Sequence, residues 1–164
     1  MSTVILKLGN DISTDDIYPG RYMATVLPSE TPQFCFANRP EINAALNAGQ
    51  HPPGSVIAAG ENFGCGSSRE QAVSTLKGHG LIIVARSIAR IFLQNSINLG
   101  LPVVICRGLE AEEGQHLEIG PETVKNLSTG QEFEVSRLPE ARQAILEAGG
   151  LIPYTRSRLK EFRG

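Results

Sequence analysis

The chain has 164 residues, 41% of them hydrophobic and 20% charged, with a formal net charge of −2. That length suits one domain and buries roughly 70% of the surface the extended chain exposes, enough for a real core. The near-neutral balance and the absence of Trp argue against a nucleic-acid surface, and no apolar run is long enough to span a membrane.

The opening "VILKLG" (Val4 to Gly9) predicts a first strand, and "NDISTDDIYPGRYM" after it predicts a structured loop rich in turn formers. Pro28 to Ala48 reads as helical pieces broken at Pro40, and "GQHPPG" as a sharp turn. "SVIAAG" (Ser55 to Gly60) is a short apolar strand. "SREQAVSTLKGHG" is a helix that stops at Gly78 or Gly80. "LIIVA" (Leu81 to Ala85), "SIARIFLQNSINLG" and "LPVVIC" continue as strand, helix, strand. This middle third carries the alternation of a parallel sheet. The tail changes style. "HLEIG" and "TVKNLSTGQEFEVSRL" predict a meander turning at Ser128 to Gly130. A helix follows with Pro139 at its first position and a stop at Gly149-Gly150, and a short basic helix runs from about Pro153 to Phe162. The expectation is an α/β fold in one domain over residues 1–164, a mixed sheet with flanking helices.

Cys35, Cys65 and Cys106 are odd in number and far apart, so neither a disulfide framework nor a metal site within this chain is expected. The start "MSTVILKLGND" lacks the basic and apolar regions of a signal peptide, and the expected setting is the reducing cytoplasm. His51, His79 and His116 are scattered, and each reads as surface or loop structure.

"GENFGCGSSRE" (Gly60 to Glu70) concentrates backbone freedom and polarity where a strand meets a helix. A nucleotide phosphate loop fits poorly, because no lysine follows Gly66 at the required place. A dinucleotide fingerprint fits poorly, because Arg69 occupies the third small position and Arg86 stands near the place where an acidic residue is expected. Two readings remain. Ser67 and Glu70 match a capping box, a serine cap with an acid three residues on. Equally, a helix N-terminus, close-approach glycines, two hydroxyls and the planar fork of Arg69 suit a small di- or tricarboxylate. Asp11, Asp15 and Asp16 crowd the earlier loop without calcium-loop spacing, and Arg21 stands near as a counter-ion. Cys65 lines the turn as a small packing residue.

The stretches "GNDISTDDIYPGRYM", "GENFGCGSSREQA", "RSIARIFLQNSINLGLP" and "QAILEAGGLIPY" resemble, in this order, the small subunits of 3-isopropylmalate dehydratase and homoaconitase, and the swivelling domain of aconitase. The resemblance covers almost the whole chain. It implies a β/β/α swivelling domain and a hydro-lyase that isomerises 2- and 3-isopropylmalate by dehydration and rehydration, a step in leucine biosynthesis. It also implies a large partner subunit, in a heterodimer or heterotetramer, whose [4Fe–4S] cluster takes the substrate hydroxyl and carboxylate. By the same resemblance Ser67 is the base for the carbon-bound proton, Ser68 and Arg69 hold a substrate carboxylate, and Thr14 and Asp15 line the cleft. Tyr22, Met23, Ala24 and Thr25 correspond to a specificity loop. No arginine follows Tyr22 there, and a flexible Met beside a small Ala favours an alkyl group over a further carboxylate. Homocitrate, dimethylmalate and citramalate hydro-lyases are the alternatives, with a non-catalytic carboxylate-binding domain as the remaining one. Gln94 departs from the arginine that relatives often carry.

Overall fold

The computed structural model describes residues 1–163. Seven strands form one sheet: β1 Ser2–Lys7, β2 Val56–Ala59, β3 Ile82–Ala85, β4 Val103–Ile105, β5 His116–Ile119, β6 Thr123–Asn126 and β7 Glu132–Glu134. Their order is β4-β3-β2-β1-β5-β6-β7. The first four are parallel, with Val56, Ile57, Ala58 and Ala59 opposite Ile82, Ile83, Val84 and Ala85. The last three are antiparallel to their neighbours. A bridge between Ile105 and Ser136 ties the β4 end to the residues after β7, so the sheet curls back on itself.

The parallel half reads as continuous apolar runs because both faces are covered. All four residues of β2 are buried. Ile57 and Ala59 point into one core with Ile83, Leu76 and Phe92, and Val56 and Ala58 into a second with Val84, Leu117 and Val124. The helices are α1 Thr14–Ile17, α2 Pro40–Asn47, α3 Glu70–Gly78, α4 Arg90–Leu99, α5 Glu140–Glu147 and α6 Leu151–Arg163. Helices α3 and α4 are the connections from β2 to β3 and from β3 to β4, and Ala72, Val73, Leu76 and Phe92 cover the first core.

Several boundaries differ from the sequence reading. Pro40 opens α2 rather than breaking a helix, since a proline at the first position loses no hydrogen bond. Pro139 stands one place earlier than expected, as the residue before α5. The Asp11 to Met23 loop contains a turn of helix, α1, and a 3₁₀ turn at Gly20–Tyr22.

The histidines are not all scattered. His51 Nε2 donates to the His79 carbonyl at 3.0 Å, His79 Nε2 donates to the Pro32 carbonyl at 2.8 Å, and the two rings lie 6.0 Å apart. Burial holds the His79 pKa below its ordinary 6.5; the Pro32 bond opposes this and the neighbouring His51 adds to it. The unfolded chain therefore binds this proton more readily. Stability attributable to His79 is full above pH 6.5 and is lost as pH falls below it. Thermal midpoints measured from pH 7.5 down to pH 5 should fall, and His79→Gln should flatten that part of the curve. An equal slope in the variant would assign the loss to other groups.

Candidate active site

Three loops converge at the carboxyl ends of the parallel strands, where open α/β sheets place their ligands. They follow β1 (residues 8–13), β2 (60–69) and β3 (86–89). The middle loop is laced to the other two. Gly64 N–H donates to the Ile12 carbonyl at 2.7 Å and Thr14 N–H to the Cys65 carbonyl at 2.8 Å. On the other side Phe63 N–H reaches Ser87 and Ala89 N–H reaches Phe63. Gly64 has φ +80°, and a Cβ there would lie 2.2 Å from Phe92 Cγ, so only glycine fits. Asp11 and Asn62 also adopt left-handed backbone, φ 56° and 60°, and the Asn62 amide donates to the Asp11 carboxylate at 2.9 Å. The turn geometry is thus fixed from both flanks.

The capping reading of Ser67 fails in the structure. Helix α3 begins at Glu70, its N-cap is Arg69 in extended conformation (φ −129°, ψ 104°), and no side chain caps it. The cause lies in the neighbouring loop. The Cys65 carbonyl is held by Thr14 N–H, and the Ser67 carbonyl accepts from Thr14 Oγ1 at 2.8 Å, so the chain stays extended past Ser67. Ser67 and Ser68 are left exposed at the mouth of an uncapped helix N-terminus. There the orphan N–H groups favour negative charge. Asn95 on α4, which sequence reasoning missed, donates to Ser68 Oγ at 3.3 Å.

Arg69 is the bridge between loops. Its Nη1 donates to Asp15 Oδ1 at 2.6 Å and to the Tyr18 carbonyl at 3.1 Å. The side chain is 19% exposed and its Nη2 and Nε have no acceptor among the described residues. The hydrogen bond from Arg69, with a second from Gly20 N–H, holds the Asp15 carboxyl below its ordinary 3.8. Thr14 is buried and its hydroxyl is used on Ser67, so it sits beneath the ledge and holds it in place.

Arg21 is not the ion-pair partner of the acidic loop. It donates to Asn38 Oδ1 and lies 4.7 Å from the Tyr22 ring centroid. The partners are Arg69 for Asp15 and Arg39 for Asp16, the latter bidentate at 2.9 and 2.5 Å. Arg39 comes from the start of α2, too far in sequence for spacing to have flagged it. Tyr22 to Thr25 run beside the ledge, tied to it by Gln71 on α3, whose amide donates to the Met23 carbonyl at 3.2 Å. Ala24 is exposed and Met23 packs partly into the first core.

Two features stay outside this arrangement. Arg86, which stands near the place where a dinucleotide fingerprint has its acidic residue, spends Nε and Nη2 on the Leu109 carbonyl, at 3.0 and 2.8 Å. Gln94 is exposed and bonds along its own helix to Asn98. Among the described residues no three His, Cys, Asp or Glu side chains converge as a metal site, and no helix is long and apolar enough to cross a membrane. Cys35 and Cys106 are buried, and burial pushes the Cys35 thiol up to about 12, far from a ligating thiolate.

A curled mixed sheet with helices over one face and a Gly-Ser-Ser-Arg ledge at its strand ends defines a domain of the aconitase class. The aconitase C-terminal domain family matches residues 29–107. The isopropylmalate/citramalate isomerase small subunit of Methanocaldococcus jannaschii is 43% identical over 163 residues, covering 96% of this chain and 94% of its own. The 3-isopropylmalate dehydratase small subunit 1 of Methanopyrus kandleri is 47% identical over 150 residues, covering 88% and 85%. The crystal structure of 3-isopropylmalate dehydratase from M. jannaschii superposes with a TM-score of 0.86 at 36% identity, over 99% of this chain and 98% of that one. This chain belongs to the family of 3-isopropylmalate dehydratase small subunits.

Proposed function

We propose that this chain is the small subunit of a hydro-lyase that interconverts 2- and 3-isopropylmalate, with Ser67 as the base and Ser68 and Arg69 as the carboxylate site. The observation that carries the reading is the exposed Ser67-Ser68 pair at an uncapped helix N-terminus, next to a half-buried Arg69 whose Nη2 and Nε make no hydrogen bond among the described residues. Arg69 and Ser68 hold one carboxylate of the substrate, which orients the neighbouring C–H bond toward Ser67. Ser67 Oγ takes the carbon-bound proton and returns it on the reverse step. A serine alkoxide is costly at neutral pH, and the orphan N–H groups of the helix N-terminus lower that cost. Thr14 and Asp15 are positioning residues, one fixing the Ser67 backbone and the other bracing Arg69.

The donor set of this chain does not fit an iron–sulfur cluster, whose irons are usually held by four thiolates. In this reading the cluster belongs to a large subunit, and the site is completed when that subunit covers the exposed ledge. The test is reconstitution. The chain alone should bind no stoichiometric iron and turn over nothing, while its mixture with a cluster-bearing large subunit should isomerise isopropylmalate. Iron–sulfur in the isolated chain, or no activity in the mixture, would count against the proposal.

Citramalate stands as a second substrate, because the M. jannaschii relative is named for both. Ala24→Arg separates alkylmalates from tricarboxylates. With a substrate bearing a further carboxylate, the new guanidinium gains a charge-assisted pair of about 1.5–3 kcal/mol. Against an alkyl group it is left unpaired in a closed site. The ratio of kcat/KM for isopropylmalate to that for a homologous tricarboxylate should fall at least tenfold. The wild-type ratio in the variant would remove Ala24 from the specificity loop.

A further inference from the structure

Tyr18 is fully buried, yet its hydroxyl is engaged entirely with the Tyr22–Thr25 loop. Its Oη donates to the Tyr22 carbonyl at 3.0 Å and lies 3.3 Å from the Thr25 carbonyl. The two acceptors are the two ends of the loop, so one proton donor pins both. Gln71 holds the Met23 carbonyl between them. Below, the Tyr22 ring stacks on Phe34 at 4.1 Å and 11°, with the Tyr18 ring edge-on to Phe34 at 6.2 Å. Three of the four loop carbonyls are therefore held by side chains outside the loop, and the exposed Ala24 is left as its tip. Met23, Tyr22 and Tyr18 all pack into or against the first core, so the loop is anchored to the sheet.

We propose that Tyr18 is a positioning residue for substrate choice, a buried clamp that fixes the shape of the Tyr22–Thr25 loop and with it the space offered to the substrate's alkyl group. The inference rests on the reading of that loop as the specificity loop. Discrimination between groups as similar as isopropyl and methyl needs a wall that does not yield, because a mobile loop closes on either. A phenol kept from water is a durable clamp. Burial raises the Tyr18 pKa above its ordinary 10.0, so the hydroxyl remains a donor through the neutral range. Phenylalanine in its place keeps the ring and all its packing and removes only the donor.

The test uses Tyr18→Phe in the full chain, alone and with the large subunit. In the chain alone, amide exchange is read at Tyr22, Met23 and Thr25, whose N–H groups bond to the Pro19, Gly20 and Tyr22 carbonyls. Exchange there should speed up about five- to tenfold, as loss of one hydrogen bond predicts, while amides of β2 should not change. In the complex, the ratio of kcat/KM for isopropylmalate to that for citramalate should move toward one by a similar factor. A residue that merely stabilised the fold would lower both rates together and leave the ratio alone. Faster exchange with an unchanged ratio would overturn the role in substrate choice, and unchanged exchange would overturn the clamp itself. If the wild-type complex turns over neither substrate, the hydro-lyase reading fails, and the exchange result still judges the clamp. Should Tyr18→Phe not fold, Gln71→Ala removes the tether at Met23 and carries the same two readouts with a smaller expected change.

Discussion

Ser67→Ala should lower turnover of the assembled enzyme by about 10²–10⁴-fold, the usual cost of losing a general base. The isolated chain should melt within about 1–2 °C of wild type. That second figure follows from where α3 begins. Were Ser67 the cap, alanine would cost about 1 kcal/mol of helix stability. The cap position is Arg69, and Ser67 contributes its backbone carbonyl to Thr14, which alanine retains. An exposed side chain with no structural bond is worth roughly 0.5 kcal/mol or less, which for a chain of this size is a degree or two. Activity and stability therefore separate in one variant. The two measurements are kcat with saturating isopropylmalate in the reconstituted complex and the thermal midpoint of the chain alone. Near-wild-type turnover would remove Ser67 as the base. A large fall in melting temperature together with lost activity would instead make it a structural residue.

The same serine shows what sequence can and cannot settle. Ser13-Thr14-Asp15-Asp16 and Ser67-Ser68-Arg69-Glu70 carry the same local signal, a serine followed three places later by an acid. The structure uses the first, since Ser13 Oγ accepts from Asp16 N–H at 3.0 Å and opens α1. It leaves the second unused. The difference is tertiary: Thr14 draws the Cys65 and Ser67 carbonyls into the neighbouring loop, and no pattern within Ser67–Glu70 reports that pull. The parallel strands were legible because burial on both faces leaves an unbroken apolar run. The juxtaposition of the two polar clusters was legible only through family resemblance. What resemblance did not supply was the wiring. Arg39, Asn95 and Gln71 each reach the site from a helix, through one long-range bond apiece, or a bidentate pair for Arg39, and single polar residues on helices look alike in sequence. Arg21, the nearest cation in sequence to the aspartates, was the natural counter-ion by spacing, yet Asn38 takes it.

Arg69→Lys should raise KM for isopropylmalate roughly 10–100-fold, although the charge is kept. The guanidinium does two things at once. Nη1 donates to Asp15 and the Tyr18 carbonyl, and Nη2 and Nε, which make no hydrogen bond among the described residues, are the donors left for the substrate in the proposed reading. A lysine brings one nitrogen to a place where two directions must be served, and it cannot meet a carboxylate as a fork. If it stays on Asp15, the substrate loses its partner; if it turns outward, the brace between the β1 and β2 loops is lost. Loss of a bidentate charge-assisted pair amounts to about 1.5–3 kcal/mol, which sets the range quoted. Asp15→Asn is the control that tells the two losses apart, because it weakens the brace and keeps the guanidinium with its unpaired Nη2 and Nε. Its KM should rise much less, since a pair whose carboxylate is 61% exposed contributes ~1 kcal/mol at most. Acid should act in the same direction as that control. Arg69 and the Gly20 N–H hold Asp15 below its ordinary 3.8, so the brace is complete above that pH and fails only as pH falls below it. Across the neutral range the two variants should therefore keep their order. Lysine and asparagine variants of equal KM would place Arg69 in the bracing of the loops alone, and the carboxylate site would have to lie with other residues.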